Sequence, residues 1–198
     1  MDKGHGDQDQ AVLREAMEEV QYITSLLQNL SACAKLESGE TELSMGAVDL
    51  NGLVERVVAR HSPIAKQKQV ELGCGVPAEP TIVQGDVTLL EQAISNLVHN
   101  AVRYVDPEGH VAMTLDTLTQ GRWTLKVIDD GPGIDEAQVQ NLMKRSFRGD
   151  GARTRYPEGQ GLGLHIALEV VRRHDYRLDF GRSEYGGLVA TLSGRLTP

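Results

Sequence analysis

The chain has little cysteine and no long apolar stretch. Two cysteines in 198 residues, Cys33 and Cys74, argue against a disulfide framework and against a cysteine-based zinc site. No apolar run approaches the ~18–20 residues that a membrane-spanning helix needs, and no signal-peptide pattern is present. We therefore expect a cytoplasmic protein with one main hydrophobic core.

Positive charge is also scarce, because 20 Lys and Arg residues stand against 28 Asp and Glu residues. The formal net charge is −8, whereas nucleic-acid-binding surfaces are usually basic. The composition therefore argues against nucleic acid as a partner. With 40% hydrophobic and 24% charged residues the chain is otherwise typical of a globular protein, so its function has to be sought in local motifs.

The sequence divides into three parts. Residues 1–9 are polar and rich in glycine, and we expect a flexible loop. Residues 10–40 contain no Gly or Pro before Gly39, and two heptad rows of apolar residues predict one long helix: Leu13, Val20, Leu27, Ala34 and Ala16, Ile23, Leu30. Residues 41–198 mix short strands and helices without strict alternation. This pattern predicts an α/β fold with a mixed β-sheet and helices on one face.

Several elements of the third part are predicted from their patterns. Asp86 is placed to cap a helix over about 87–105, and another helix is expected over about 51–69, where Pro63 is a possible kink. Residues 110–130 alternate as a hairpin that turns at Gln120-Gly121. A helix opening at Gly163 has apolar residues at helical spacing, namely Leu164, Ala167, Leu168 and Val171. The last two strands are expected over about 177–182 and 187–196.

Three glycines at alternate positions, Gly159, Gly161 and Gly163, directly precede that amphipathic stretch. The segment lacks the Gly-Lys-Ser/Thr of a P-loop, and its third glycine follows the second too closely for a dinucleotide-binding fingerprint. Glycines leave the backbone bare, and a helix N-terminus presents free N–H groups with a partial positive charge. The segment therefore indicates a phosphate site of another kind.

A polar stripe runs along the stretch "EQAISNLVHNAVRYV". Gln92, Asn96 and Asn100 are spaced four apart and lie on one helical face, with Arg103 and Tyr104 on the next turn. Such a stripe is either the solvent face of an amphipathic helix or a set of ligands. An amide oxygen coordinates Mg²⁺ without adding charge beside phosphates, which is the functional interpretation.

The stretch "KVIDDGPGID" ends a strand in Asp129 and Asp130 and then turns through Gly131 and Gly133. The plain interpretation is a turn after a strand. The functional interpretation is a carboxylate that accepts a hydrogen bond from an exocyclic amine, with bare backbone against which a flat base can lie.

In this order and at these spacings the three stretches resemble the ATP-binding domain shared by sensor histidine kinases, DNA gyrase, heat-shock chaperone ATPases and mismatch-repair ATPases. The resemblance covers about residues 44–196 and implies the Bergerat fold, an α/β sandwich that binds ATP and Mg²⁺ under a lid. It implies that Asn100 binds Mg²⁺, that Asn96 supports it, and that Asp129 reads the adenine amino group. The other implied contacts are Arg103, Tyr104, Gly131, Gly133, Gly159, Gly161, Gly163 and Leu164, with residues 148–160 as the lid and Arg148 as a catalytic phosphate contact.

One position points to a branch of that family. Members that hydrolyse ATP have a glutamate one helical turn before the magnesium asparagine, where this chain has Asn96. Without a general base there, the site favours transfer of the γ-phosphate to another group. The segment "LLQNLSACAKLESGE" is also similar to the end of the second dimerisation helix of histidine kinases. The resemblance thus implies a homodimer, a phosphoacceptor histidine, and the receiver domain of a response regulator as partner.

No phosphoacceptor histidine is recognisable in the chain. His174 lies where the family has a simple turn, and it lacks the proline that follows the acceptor. We expect the chain to be a piece of a longer sensor kinase, membrane-anchored or not, rather than a natural half. The acceptor would then lie on the kinase's own upstream helix or on a partner protomer. The chain alone should bind ATP without phosphorylating itself.

Some positions depart from the family pattern. Met143 and Ser146 stand where aromatic residues are common, and Leu188 stands where threonine is usual. These departures leave open a nucleotide-binding pseudokinase or scaffold that acts by protein contact. A serine kinase acting on an anti-sigma-factor antagonist shares the fold but has no need of the heptad helix.

Overall fold

The computed structural model describes residues 43–134 and 162–196, together with residues 23, 24, 27 and 29–31. The chain divides into two units, Met1–Thr41 and Glu42–Pro198. The described residues of the first unit are all helical, and the rest of the helix predicted over residues 10–40 lies outside the described residues. Three apolar residues from the two heptad rows, Ile23, Leu27 and Leu30, are exposed in it.

The second unit alternates between strands and helices in an irregular order. No helix in the described part of the chain is long and apolar enough to cross a membrane. Along residues 43–134 and 162–196 the elements are β1 (Gly46–Asp49), α1 (Leu50–Gln67), β2 (Glu71–Gly75), β3 (Ile82–Gly85), α2 (Val87–Tyr104), β4 (His110–Leu118), β5 (Arg122–Asp129), α3 (Leu162–Arg173), β6 (Arg177–Arg182) and β7 (Leu188–Arg195).

The strands form two sheets. The larger has the order β2-β4-β5-β7-β6, in which β2 is parallel to β4 and the other neighbours are antiparallel. The smaller is the antiparallel pair of β1 and β3, with Val48 opposite Val83. On β5 the residues Trp123, Leu125 and Val127 are buried, while the residues between them are half-buried. This mixed sheet with its helices confirms the predicted α/β class.

Local signals set the ends of two helices and one hairpin. The Asp86 carboxylate accepts hydrogen bonds from the Thr88 and Leu89 amides at 3.0 and 3.1 Å, so it caps α2 as predicted. Asp49 caps α1 in the same way through the Asn51 amide, and α1 continues through Pro63. Gln120 and Gly121 both have positive φ, which is what the tight turn between β4 and β5 requires.

The buried face of α3 differs from the predicted one. Ile166, Ala167, Val170 and Val171 are buried, whereas Leu164 and Leu168 are only half-buried. The helix packs against α2 as well as against the sheet, so its contact face is turned away from the row that periodicity suggests. At its C-terminal end the His174 ring accepts a hydrogen bond from the Asp86 amide (2.9 Å) and donates to the Val170 carbonyl (2.7 Å). His174 therefore ties α3 to the start of α2, and both of its ring nitrogens are occupied.

Candidate functional site

Asp129 ends β5 on the inward face of the strand and is only 7% exposed. Its Oδ1 accepts hydrogen bonds from the amides of Gly131 and Leu188, both at 3.0 Å. No hydrogen bond from a described residue reaches its Oδ2. Burial raises the pKa of Asp129, and the two backbone hydrogen bonds oppose that rise. The site thus contains a buried carboxylate with one oxygen held by the protein and one available to a ligand donor.

The predicted glycine turn lies directly against this carboxylate. A Cβ on Gly131 would stand 3.1 Å from the Asp129 Oδ1. Gly133 has a φ of +66°, and a Cβ there would stand 2.8 Å from the Gly186 carbonyl oxygen. A side chain at Gly133 would collide with the β6–β7 turn, and one at Gly131 would crowd the carboxylate. The turn therefore presents bare backbone beside Asp129, as the sequence predicts.

Helix α2 carries the predicted polar residues, and its C-terminal end lies beside the glycine turn. Asn96 is buried, and Asn100, Arg103 and Tyr104 are half-buried. The Asn100 amide makes no hydrogen bond to the described residues, so its oxygen fits the role of an uncharged Mg²⁺ ligand. A Cβ on Gly131 would lie 3.4 Å from the Tyr104 carbonyl oxygen. The end of α2 therefore adjoins the glycine turn.

The start of α3 meets α2 at Asn96. A Cβ on Gly163 would stand 3.2 Å from both Cγ and Oδ1 of Asn96, so a larger residue here would require the Asn96 side chain to shift. Leu164 follows and is half-buried. Since Asn96 contacts α3 and Tyr104 contacts the glycine turn, α2 brings together all three stretches that the sequence singles out.

Lys68, which sequence reasoning missed, adds positive charge beside α2. Its Nζ donates hydrogen bonds to the carbonyl oxygens of Val102 (3.0 Å) and Arg103 (2.7 Å). Burial lowers the pKa of Lys68, as does the nearby Arg103. Burial together with these two cations also lowers the pKa of His99. The Arg103 guanidinium and the Lys68 ammonium thus both lie beside the turn of α2 that follows Asn100. Their positive charge favours an anionic ligand there.

Several predicted residues lie outside the described part of the chain: Arg148, Gly159, Gly161, the lid at 148–160, and the altered aromatic segment with Met143 and Ser146. Among the described residues, no cluster of three His, Cys, Asp or Glu side chains is arranged to hold a metal. A Mg²⁺ that takes one protein amide and otherwise phosphate and water oxygens needs no such cluster.

Sequence reasoning also missed the contribution of the β6–β7 turn. Ser183 and Leu188 bond to Asp129 across 54 and 59 residues of sequence, and no local pattern links positions so far apart. The Gly186-Gly187 pair was the available signal, since two glycines between strands often mark a close backbone approach. A Cβ on Gly187 would in fact stand 2.3 Å from Asp129.

Comparison with known proteins shows which family the chain belongs to. Residues 85–197 match the family described as histidine kinase-, DNA gyrase B- and HSP90-like ATPase. The chain is 34% identical over 173 residues to "Probable sensor histidine kinase TcrY" of Mycobacterium tuberculosis, covering 86% of this chain and 36% of that protein. It is 29% identical over 174 residues to the signal transduction histidine-protein kinase BaeS of Escherichia coli, covering 88% of this chain and 37% of that one. The chain therefore spans little more than a third of these relatives.

Solved structures give the same result. The mycobacterial sensor histidine kinase MprB superposes with a TM-score of 0.66 at 26% identity, covering 77% of this chain and 98% of that chain. Full-length ShkA, solved in complex with AMPPNP, shares the fold with a TM-score of 0.75 at 24% identity, covering 96% of this chain and 40% of that chain. The chain belongs to the histidine kinase-, DNA gyrase B- and HSP90-like ATPase family, and its domain is an ATP-binding domain of the histidine-kinase type.

Proposed function

We propose that the chain binds ATP with Mg²⁺ and supplies the γ-phosphoryl group to a histidine of a sensor kinase, for relay to an aspartate on a response regulator. The observation that carries this proposal is the convergence of Asp129, the glycine turn and the start of α3 on the polar face of α2. The kinase names of the relatives support it. They also disfavour the alternative of a scaffold that acts by contact alone.

Asp129 would select the base. Its Oδ2 would accept a hydrogen bond from the exocyclic amine of adenine, while Oδ1 stays bound to the Gly131 and Leu188 amides. Guanine has a carbonyl oxygen at the corresponding position. That oxygen would face a buried carboxylate with no donor between them, at a cost of ~1–3 kcal/mol or more. The site should therefore prefer ATP over GTP strongly.

The phosphates would lie between Asn100 and the start of α3. Asn100 would hold Mg²⁺ through its amide oxygen, and a bound Mg²⁺ supplies neutralisation of the phosphate charge. Arg103, Tyr104, Gly163 and Leu164 would contact the nucleotide. Among the residues outside the described part, we assign the same role to Gly159, Gly161 and Arg148. Catalysis would rest on orientation and charge stabilisation.

Asn96 would favour transfer of the γ-phosphate to a protein acceptor over hydrolysis. It stands where a hydrolytic enzyme of this family would need a carboxylate, and an amide does not act as a general base. The Asn96 side chain is also packed against Gly163, so it shapes the phosphate end of the site. Transfer to a protein acceptor, rather than to water, is the reaction that such a site favours.

The remaining parts of the proposal concern the whole protein. Residues 10–40 would be the second helix of the dimerisation hairpin and residues 41–198 the catalytic domain. The phosphoacceptor histidine would lie on a helix of the same kinase, in the same or the partner protomer. The parent would be a homodimer whose catalytic part acts in the cytoplasm and whose partner is a receiver domain.

The direct test mixes the chain with labelled ATP, Mg²⁺ and a separate histidine-bearing dimerisation domain. Acid-labile label on that domain is the expected result; acid-stable label would instead indicate a hydroxyl acceptor.

Asp129→Asn should abolish transfer and weaken ATP binding at least tenfold, because the amide can present its NH₂ to the adenine amine. Calorimetry that finds equal affinities for ATP and GTP in the wild type would refute the assigned adenine contact.

A further inference from the structure

Ser183 lies in the β6–β7 turn, outside the three stretches that form the site. It is 7% exposed, and its hydroxyl makes three hydrogen bonds. Its Oγ donates to the main-chain carbonyl oxygen of Asp129 at 2.7 Å. It accepts from the amides of Gly187 at 3.1 Å and Tyr185 at 3.2 Å. A hydroxyl has one donor and two acceptor sites, so this one is used to its full capacity.

The turn is pressed against Asp129. A Cβ on Gly187 would stand 2.3 Å from both the carbonyl oxygen and the Oδ1 of Asp129. The next amide along the chain, that of Leu188, donates to the same Oδ1 at 3.0 Å. The turn closes on itself through the Ser183 amide, which donates to the Gly187 carbonyl oxygen at 2.9 Å. The backbone of the turn therefore lies in direct contact with Asp129.

Ser183 also lies at the end of the regular pairing between β5 and β7. The antiparallel ladder of β5 and β7 ends with Ile128 opposite Val189. One residue further, the Ser183 hydroxyl holds the Asp129 carbonyl and the Asp129 carboxylate holds the Leu188 amide. Side-chain groups thus replace ladder bonds at the one position whose carboxylate faces the site. Because the carbonyl oxygen and Oδ1 of Asp129 are both held by hydrogen bonds, the carboxylate cannot rotate freely and Oδ2 points in one direction.

We propose that Ser183 is a positioning residue for base selection: by holding the Asp129 backbone to the β6–β7 turn, it fixes the direction in which Oδ2 meets the base. The proposal rests on the proposed function, in that Asp129 is taken to read adenine. It assigns Ser183 no contact with nucleotide. Its effect is therefore expected on discrimination at the 6-position of the purine and not on metal or phosphate binding.

The test compares ATP with ITP, which differ chemically at the 6-position, an amine in one and a carbonyl in the other. Dissociation constants are measured by displacement of a fluorescent nucleotide, with Mg²⁺ present, on the 198-residue chain. In Ser183→Ala the Kd for ATP should rise about tenfold, as expected when buried polar groups lose one partner. The Kd for ITP should change less than about twofold, so the preference for ATP narrows.

The matched control is Ser193→Ala, since Ser193 is equally buried, 7% exposed, and lies on β7 beyond the site. It should leave both dissociation constants unchanged. Ser183→Cys keeps a side chain of similar volume with weaker donor and acceptor strength, and should give an intermediate loss of preference. If Ser183→Ala does not fold, the ATP-to-ITP preference of Ser183→Cys tests the proposal instead.

The possible outcomes distinguish failure of the proposed function from failure of the role assigned to Ser183. A wild-type chain that does not bind ATP, or binds ITP equally well, contradicts the proposed function itself. A wild-type chain that prefers ATP, combined with a folded Ser183 variant whose ATP-to-ITP ratio is unchanged, overturns only the role of Ser183. Equal weakening of both nucleotides also overturns it, because that is what a purely structural loss would produce.

Discussion

Asp129 occupies the fourth inward-facing position of β5, after Trp123, Leu125 and Val127. Burying a carboxylate at such a position is costly, and the rise in its pKa reflects that cost. Two protein groups offset part of it, namely the amides of Gly131 and Leu188, which both donate to the carboxylate. A carboxylate that is held in a core position with one oxygen left over is better explained by a ligand than by stability.

Asn100 provides a prediction that separates metal binding from base binding. Asn100→Asp places a negative charge where an uncharged amide oxygen now stands, with Arg103 close by on the same helix. The Mg²⁺ concentration needed for half-maximal ATP binding should shift several-fold, because a carboxylate binds the metal more tightly but repels the phosphates. Adenosine binding should stay within about twofold, because the base contact at Asp129 is unchanged.

The measurement is a Mg²⁺ titration of ATP affinity, with adenosine measured in parallel by calorimetry. Gln84→Glu is a suitable control, because it makes the same change of amide to carboxylate at an exposed position of β3, outside the three stretches that form the site. An unchanged Mg²⁺ dependence in the Asn100 variant would remove this residue from its assigned role.

At the residue scale, the sequence was informative where a motif is contiguous. Asn96, Asn100, Asp129, Gly131 and Gly163 stand in short stretches whose spacing carries the information, and the structure brings those stretches together. Ser183 and Lys68 could not be found in this way. They act on residues 54 and 35 positions away. The Gly186-Gly187 pair near Ser183 signals a close backbone approach, but no local pattern indicates which distant residue either side chain contacts.

At the scale of elements, the contact between α1 and α2 contains a buried histidine. His61 is 8% exposed, and its Nε2 lies 3.1 Å from the Ser95 hydroxyl. Its ring centroid is 6.2 Å from that of His99. Burial lowers the pKa of His61 to about 4, with further lowering from His99 and Arg60. The folded protein therefore keeps this ring neutral under conditions in which an unfolded chain protonates it.

This difference predicts loss of stability in mild acid. The unfolded-state pKa of a histidine is ~6.5, so below that pH the unfolded chain binds a proton that folded His61 refuses. The free energy of unfolding should fall by about 2 kcal/mol between pH 7 and pH 5 through this group, and the decline should level off below the folded pKa of about 4. His61→Gln should make the decline shallower in urea unfolding measured across this range.

His110→Gln is the contrasting control. His110 is exposed, and its hydrogen bond to Asp130 at 2.9 Å raises its pKa, so its contribution to stability is present at low pH and is lost as pH rises. Its removal should therefore leave the decline on acidification intact or make it steeper. A decline that persists unchanged in His61→Gln would show that other groups cause it.

Elements were predictable to the extent that their signals are local. The Asp86 cap, the turn at Gln120-Gly121 and the limits of the last two strands follow from residue type and alternation. The buried face of α3 was predicted correctly at Ala167 and Val171 but wrongly at Leu164 and Leu168. Periodicity finds an apolar row, but the choice between adjacent rows depends on the neighbours, and here α2 and the sheet together select Ile166 and Val170.

At the scale of the whole second unit, one aromatic cluster joins β3, the end of α3 and β5. The Tyr176 hydroxyl donates to the Gln84 carbonyl oxygen on β3, and its ring stacks on His174 at the end of α3. The same ring meets Trp123 of β5 edge-on at 5.0 Å. Burial raises the pKa of Tyr176 to about 12. This cluster, and the strand order with β7 between β5 and β6, depends on distant pairing and was not predictable from local pattern.

Because the site draws on β5, α2 and α3 at once, a bound nucleotide should stabilise the second unit as a whole. ADP at a hundredfold excess over its Kd should add about 2.7 kcal/mol to the free energy of unfolding. For a unit of this size the melting temperature should rise by about 5–10 °C. Asp129→Asn should lose about half of the rise or more at the same ADP concentration, because a tenfold weaker Kd reduces the added free energy to about 1.4 kcal/mol, whereas Ser193→Ala should keep it. An equal rise in wild type and Asp129→Asn, measured by calorimetry, would show that the nucleotide binds elsewhere.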